Sequence, residues 1–193
     1  GGDATKNLTV NAVGSGDLTA LNLSEVDTLT LNDTTTLPDS DADMPPTVDF
    51  GSQNVTLSGN ININSITTSN LGTFAVGSNT LTGSAAKLDG VTVGGAGTTA
   101  VTALHSTLDA DLSGIDTTTT TAAFDGNGTF IGTLDDAVVT VGDGFTMTAA
   151  ATKVAGETVN KVTDGKLAVT VGTADAGVDL TTISGTAIDS VTV

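Results

Sequence analysis

Along this chain an apolar residue is repeatedly followed by Thr and then by another small or apolar residue. The unit occurs as Leu8-Thr9-Val10, Leu18-Thr19-Ala20, Leu29-Thr30-Leu31, Val55-Thr56-Leu57 and Leu81-Thr82-Gly83. It recurs as Val91-Thr92-Val93, Val101-Thr102-Ala103, Val139-Thr140-Val141, Val169-Thr170-Val171 and Val191-Thr192-Val193. Each triplet alternates inward, outward, inward, the period-two signature of a strand buried on one face. β-Branched Thr on the wet face favours the extended backbone without adding charge. Turn signals separate the triplets: Asp89-Gly90, Gly94-Gly95, Asp125-Gly126-Asn127-Gly128, Asp143-Gly144 and Asp164-Gly165. Many short strands with turns between them, and almost no helical periodicity, predict an all-β fold.

A longer self-similarity overlies the triplets. Ser84-Ala85-Ala86-Lys87-Leu88-Asp89-Gly90-Val91-Thr92-Val93 aligns with Ala150-Ala151-Thr152-Lys153-Val154-Ala155-Gly156-Glu157-Thr158-Val159 at an offset of 66. After a two-residue insertion, Asp111-Leu112-Ser113-Gly114-Ile115 aligns with Asp179-Leu180-Thr181-Thr182-Ile183 at an offset of 68. The order is the same in both copies: strand, small-residue turn with Lys, Gly, strand, Asp-Leu-x-x-Ile. This is read as a duplicated unit at 76–120 and 141–185. Residues 33–46 break the pattern and mark a boundary, giving an N-terminal β segment (1–50) with an acidic, Pro-bearing loop and two β-repeat units, 51–135 and 136–193. Two architectures fit: a repeat-built β-solenoid whose coils bury their apolar faces on one another, or a tandem β-sandwich. Scarce aromatics favour the solenoid, whereas a hairpin at Asp164-Gly165, between 159–163 and 167–171, would give antiparallel pairing there.

Composition narrows what such a fold can do. With 38% hydrophobic residues and 24 Gly, the chain can bury a core of small branched side chains rather than stay disordered. A net charge of −17, with five Lys and no Arg, opposes nucleic acid and anionic lipid as partners. No apolar run is long enough to cross a bilayer. The absence of Cys removes disulfides, thiolate catalysis and Cys-bound zinc. The chain opens Gly1-Gly2-Asp3 without Met, as expected of a processed product or a fragment. Acidity, 39 Thr and few Lys suit an exported protein and a saline setting.

Candidate chemistry is sparse. Asp39, Asp41 and Asp43 alternate on one loop and are the candidate metal ligands, because spaced carboxylates can wrap oxygens around Ca²⁺. Met44 stands where an EF-hand loop needs Gly, and a solvated acidic loop before Pro45-Pro46 is the alternative. Asp109, Asp111 and Asp116, Asp135 and Asp136, and Asp175 and Asp179 read as turn formers ahead of ligands. His105, the sole His, lies beside Ser106 rather than opposed to it, and there is no Gly-x-Ser-x-Gly elbow. No catalytic residue is assigned and no enzyme activity is expected. A carbohydrate cleft would want aromatic platforms, and Trp and Tyr are both absent. The five sequons, at Asn7, Asn22, Asn32, Asn54 and Asn127, are close to what composition alone supplies. Thr117–Thr121 reads as an exposed strand or a carrier of O-linked sugar.

The segment from Leu81-Thr82 through Ala85-Ala86-Lys87-Leu88-Asp89-Gly90-Val91-Thr92-Val93-Gly94-Gly95-Ala96-Gly97-Thr98, with Ala110-Asp111-Leu112-Ser113-Gly114-Ile115, resembles repeats of secreted bacterial surface proteins. These are S-layer proteins and type I-exported repeat adhesins. Thr181-Thr182-Ile183-Ser184-Gly185-Thr186-Ala187 is similar to segments of the same proteins. The resemblance covers residues 76–193 and implies an extracellular structural protein, calcium-stabilised, in a lattice or filament. The calcium-roll secretion signal of that family is missing. Ala85–Thr92 also resembles spacer repeats of phage tail fibres, which would imply a trimer. The expected partner is the chain itself, through strand edges at Asn7–Val13 and Asp189–Val193. A carbohydrate-binding adhesin module, with surface glycans as partners, is the remaining alternative.

Overall fold

The computed structural model of the chain describes residues 5–11, 15–185 and 188–193. The chain forms two compact units. Unit 1 comprises Gly1–Gly83, Val91–Thr99 and Asp116–Thr118, and unit 2 comprises Ser84–Gly90, Ala100–Ile115 and Thr119–Val193. The expected edge segment ending at Val13 and the motif ending at Thr186-Ala187 each run partly outside the described residues.

In chain order the first strands are β1 (Asn7–Val10), β2 (Gly16–Asp17), β3 (Thr28–Leu31), β4 (Thr35–Thr36) and β5 (Thr47–Asp49). They continue with β6 (Asn54–Thr56), β7 (Ile61–Asn62), β8 (Thr67–Ser69), β9 (Thr73–Ala75) and β10 (Thr80–Ser84). One helical turn, α1 (Ala85–Leu88), precedes the ten-residue strands β11 (Val93–Thr102) and β12 (Ile115–Phe124), each divided between the two units. Then follow β13 (Gly128–Phe130), β14 (Val138–Val141), β15 (Thr146–Ala150), a second turn α2 (Ala151–Val154), β16 (Thr158–Lys161), β17 (Lys166–Thr170), β18 (Ser184–Gly185) and β19 (Ser190–Thr192).

Unit 1 is a stack of coils. One ladder runs β1-β3-β5-β8, another β2-β4-β6-β9-β11, and β7 pairs with β10 on a third side. All of these pairings are parallel, with partners 19 to 21 residues apart. Leu8 lies opposite Leu29 and Leu29 opposite Val48, while Thr35, Val55, Phe74 and Val93 follow one another in the second ladder. The inward member of each triplet therefore stacks on its counterpart one coil away. Leu29, Leu31, Val48, Phe50, Phe74 and Leu81 are fully buried, and the Phe50 and Phe74 rings meet edge-to-face at 5.3 Å. Gly59 allows the close approach of coils: a Cβ there would lie 1.7 Å from the Asp39 carbonyl oxygen, one coil earlier.

Unit 2 is built the same way. Its ladders are β12-β14-β16-β18 and β13-β15-β17-β19, again parallel, with partners 17 to 26 residues apart. Ala122, Val139 and Val159 stack in the first ladder, and Phe130, Ala149 and Val169 in the second, all buried. The architecture is all-β and solenoid-like. The hairpin expected at Asp164-Gly165 does not form: β16 and β17 belong to different ladders, and each pairs in parallel with strands of neighbouring coils. The Asp-Gly turn is a corner between two faces. The Asp164 N–H donates to the Asp143 carboxylate at 2.9 Å, so this corner stacks on the Asp143-Gly144 corner of the preceding coil. A turn signal fixes where the chain bends. Which strand it then joins is decided by a matched apolar row about twenty residues away.

The duplicated segments adopt the same local structure. β10 and β15 share one burial alternation, and α1 and α2 bury their first and fourth residues. Gly90 and Gly156 both follow with positive φ, 65° and 85°, as the reversal after each helical turn requires. Further on, the Asp111 carboxylate accepts the Ser113 N–H and the Asp179 carboxylate accepts the Thr181 N–H, the same turn at the 68-residue offset.

Candidate functional site

Asp39, Asp41 and Asp43 fall on the bend that leads into β5. Ser40 pairs with Asn60 of the next coil and caps a single 3₁₀ turn, Asp41–Asp43, by accepting the Ala42 N–H at 3.2 Å. The Asp43 carbonyl is fixed by the Leu23 N–H at 2.8 Å. Asp39 and Asp41 are exposed and Asp43 is half-buried. With three residues per 3₁₀ turn, Asp41 and Asp43 project about 120° apart. Among the described residues, no group of three or more His, Asp or Glu side chains gathers as a cation-holding set.

His105 sits on a 3₁₀ turn, half-buried, its ring edge-on to Phe124 at 6.3 Å. Gly126 runs across the ring so closely that a Cβ would lie 2.4 Å from Cδ2. The imidazole Nε2 lies 3.2 Å from Ser106 Oγ, and its buried Nδ1 has no partner among the described residues. Among the described residues no third group hydrogen-bonds the ring, and a relay would need one. Thr117–Thr121 lie in β12, where Thr118, Thr119 and Thr121 are exposed and Thr120 is buried. The Asn side chains of all five sequons are exposed.

What the structure does with the acids is mechanical. At corner after corner, a carboxylate or carboxamide accepts a backbone N–H from the adjacent coil. The Asp27 carboxylate takes the Lys6 N–H, Asp89 takes that of Asp111, Asn127 that of Thr146, Glu157 that of Asp136, and Asp189 that of Leu167. The Asn32 amide donates to Asn11, and the Asn70 amide to Asp49. At corners the ladder bonds lapse, and these side chains satisfy N–H groups that would otherwise be left over. Asp suits the task because its short side chain spans one coil spacing with little rotamer freedom to lose. The sequence carries a trace of this: Asp or Asn recurs just before or after the strand triplets, yet only the coil spacing shows what it bonds.

Several carboxylates that accept hydrogen bonds, from their own turn or from another coil, have lowered pKa values. Hydrogen bonds from the Thr19 N–H and side chain hold the Asp17 carboxyl below its ordinary pKa, and Ser113 and Thr181 do the same for Asp111 and Asp179. Asn70 and the Gly51 N–H lower Asp49, and Lys161 with the Leu167 N–H lowers Asp189. Asp175 is a buried carboxylate that accepts the Gly172 N–H at 2.7 Å and the Thr152 N–H at 3.1 Å, and these bonds hold it low. Glu157 moves the other way, pushed up by burial and by the neighbouring Asp136 and Asp135 charges.

The other surfaces of interest are the outer edges of the ladders. Among the described residues, β1 has a pairing partner on one side only, as does β19. β19 is exposed at every position, with Val191 at 50%. No helix among the described residues is long and apolar enough to cross a membrane. Compared with known proteins, the chain matches no family model, no curated protein and no solved structure.

Proposed function

We propose that this chain is an extracellular structural protein, a self-assembling subunit of a bacterial surface layer or filament. One observation carries the reading: parallel ladders whose outer strands, β1 and β19, have unpaired edges among the described residues. An unpaired strand edge is a template for another strand. Acids placed along the corners give the subunit a net charge of −17, so copies repel one another until cations screen them. Calcium at millimolar concentration acts in this reading through the summed acidic surface, Asp39, Asp41 and Asp43 included.

The test is light scattering and negative-stain microscopy at rising protein concentration, with millimolar calcium and with chelator. Extended assemblies that grow with calcium and shrink with chelator are expected. A strictly monomeric particle under all conditions contradicts the proposal, and a discrete SDS-resistant trimer favours a fibre module instead.

A further inference from the structure

Among the ladder ends, which also include β2, β8, β13 and β18, β1 and β19 share one side-chain pattern, and that pattern specifies how they meet. β1 reads Asn7-Leu8-Thr9-Val10, and β19 with the next residue reads Ser190-Val191-Thr192-Val193. Both run polar, aliphatic, Thr, Val. In their own ladders, Leu8 lies opposite Leu29 and Thr9 opposite Thr30, while Val169 lies opposite Val191 and Thr170 opposite Thr192. We propose that a second copy of this chain docks head to tail on the first, β19 of one pairing in parallel with β1 of the next, with Val191 opposite Leu8, Thr192 opposite Thr9 and Val193 opposite Val10. The inference rests on the self-assembly reading and names the contact that it uses.

Backbone direction agrees with this register. The Lys6 and Val10 carbonyls point toward β3, accepting from Asp27 and Asn32, so by alternation Asn7 and Thr9 present their backbone groups outward. The Thr192 carbonyl points toward β17, accepting from Val171, so Val191 and Val193 present theirs outward. In a parallel pair, an edge residue bonds to the residues before and after its opposite number. Thr9 opposite Thr192 therefore donates its N–H to the Val191 carbonyl and accepts the Val193 N–H. A slip of one residue would turn the Val side chains to solvent and misalign the bonds.

Charge agrees as well. Asp189 lies one step before β19, and Lys6 one step before β1, so this register sets the two side by side. Lys6 is the first of the five Lys, and the next is Lys87. Lys6 lies 3.8 Å from Glu25 with half its side chain exposed, and Asp189 accepts from Lys161 and from the Leu167 N–H through Oδ2. The docked row would read Leu167, Asp189, Lys6 of the second copy and Asp27 of the second copy, a cation between two carboxylates. Because the edges are complementary and not self-matching, the association is open-ended and gives a filament rather than a closed dimer.

The chain has no Cys, so engineered thiols report this contact without background. Opposed residues on paired strands lie within disulfide reach. Thr9→Cys and Thr192→Cys are made singly and together, circular dichroism confirms each fold, and the proteins are oxidised at a concentration where light scattering reads assembly. The double variant should give a ladder of reducible multimers, an equal mixture of the singles should give dimers, and each single alone should stay monomeric on non-reducing gels. Adding Lys6→Glu to the double variant should lower the cross-linked fraction at least fivefold at low salt. Cross-linking of a single variant with itself, or assembly by light scattering without cross-links, overturns the head-to-tail contact while self-assembly stands. Monomers throughout overturn both.

Discussion

Strands β17 and β19 are neighbours in one ladder with nearly the same chemistry, yet their fates differ. β17 alternates cleanly, with Leu167 and Val169 buried between coils, whereas β19 is exposed at all three positions. Val169 is 1% exposed, and Val191, directly opposite it, is 50% exposed. The apolar–Thr pattern makes each segment a strand, but burial comes from the coil on the far side. In a solenoid the core is a property of the stack rather than of any one strand.

Truncation should expose this contrast most strongly. Leu167→Ala removes a fully buried side chain between two coils and should cost about 2–5 kcal/mol. Val191→Ala should stay within about 0.5 kcal/mol for the unassembled chain. Chemical denaturation of the two variants at low concentration reads the difference, and equal losses would mean that β19 is covered.

A smaller effect is expected where coils touch by backbone. A Cβ at Gly132 would fall 2.1 Å from the Ala110 carbonyl oxygen, so Gly132→Ala must push coils apart at about 1–3 kcal/mol. No comparable contact surrounds Gly144, where a Cβ meets nothing within 4 Å and only its φ of 74° opposes Ala. Thermal melts of both variants should separate a glycine crowded by the neighbouring coil's backbone from one with open space around it, with Gly132→Ala melting lower.

The corner acids predict the pH response. Asp17, Asp49, Asp111, Asp175, Asp179 and Asp189 all have lowered pKa values in the fold, so each favours folding above its unfolded pKa, about 3.9. That contribution is lost as pH falls through the folded values. Stability should be level down to about pH 5 and drop below about pH 4. Asp175→Asn should lower Tm at neutral pH, because one amide cannot accept from both Gly172 and Thr152 as the carboxylate does. The gap to the parent should narrow below pH 4, and a constant gap would assign the loss to packing instead.

Glu157 gives the smallest and opposite effect. Its raised pKa means that ionisation is disfavoured in the fold, beside Asp135 and Asp136. Glu157→Gln retains an acceptor for the Asp136 N–H and removes the repulsion. A slight rise in Tm is expected at pH 7, and none at pH 3, where the parent side chain is already neutral.

Much of the fold was legible in the pattern of residues. Leu29-Thr30-Leu31, Val139-Thr140-Val141 and Leu81-Thr82-Gly83 are strands with the expected faces inward. Leu18-Thr19-Ala20 is not: Asp17 accepts the Thr19 N–H and bends the chain, so only Leu18 reaches the core. Parallel pairing was hidden because each partner lies 17 to 26 residues away, and spacing that uneven blurs the coil period. The 66-residue offset was visible because α1 and α2 repeat a distinctive Lys-bearing turn, although it spans several coils. Of the site chemistry, the candidate acids were visible as residues but not as corner acceptors, since that role depends on a neighbour one coil away.

The central claim is that β17, paired with β15 and β19, is held on both sides while the outer edges of β1 and β19 await a neighbour. Hydrogen–deuterium exchange of the whole chain, at low concentration and under assembling conditions, tests it most directly. The amides of β17 should be protected in both states, and the outward-facing amides of Asn7, Thr9, Val191 and Val193 should become protected only on assembly. Assembly that leaves both edges exchanging freely, or edges already protected in the monomer, would contradict the account.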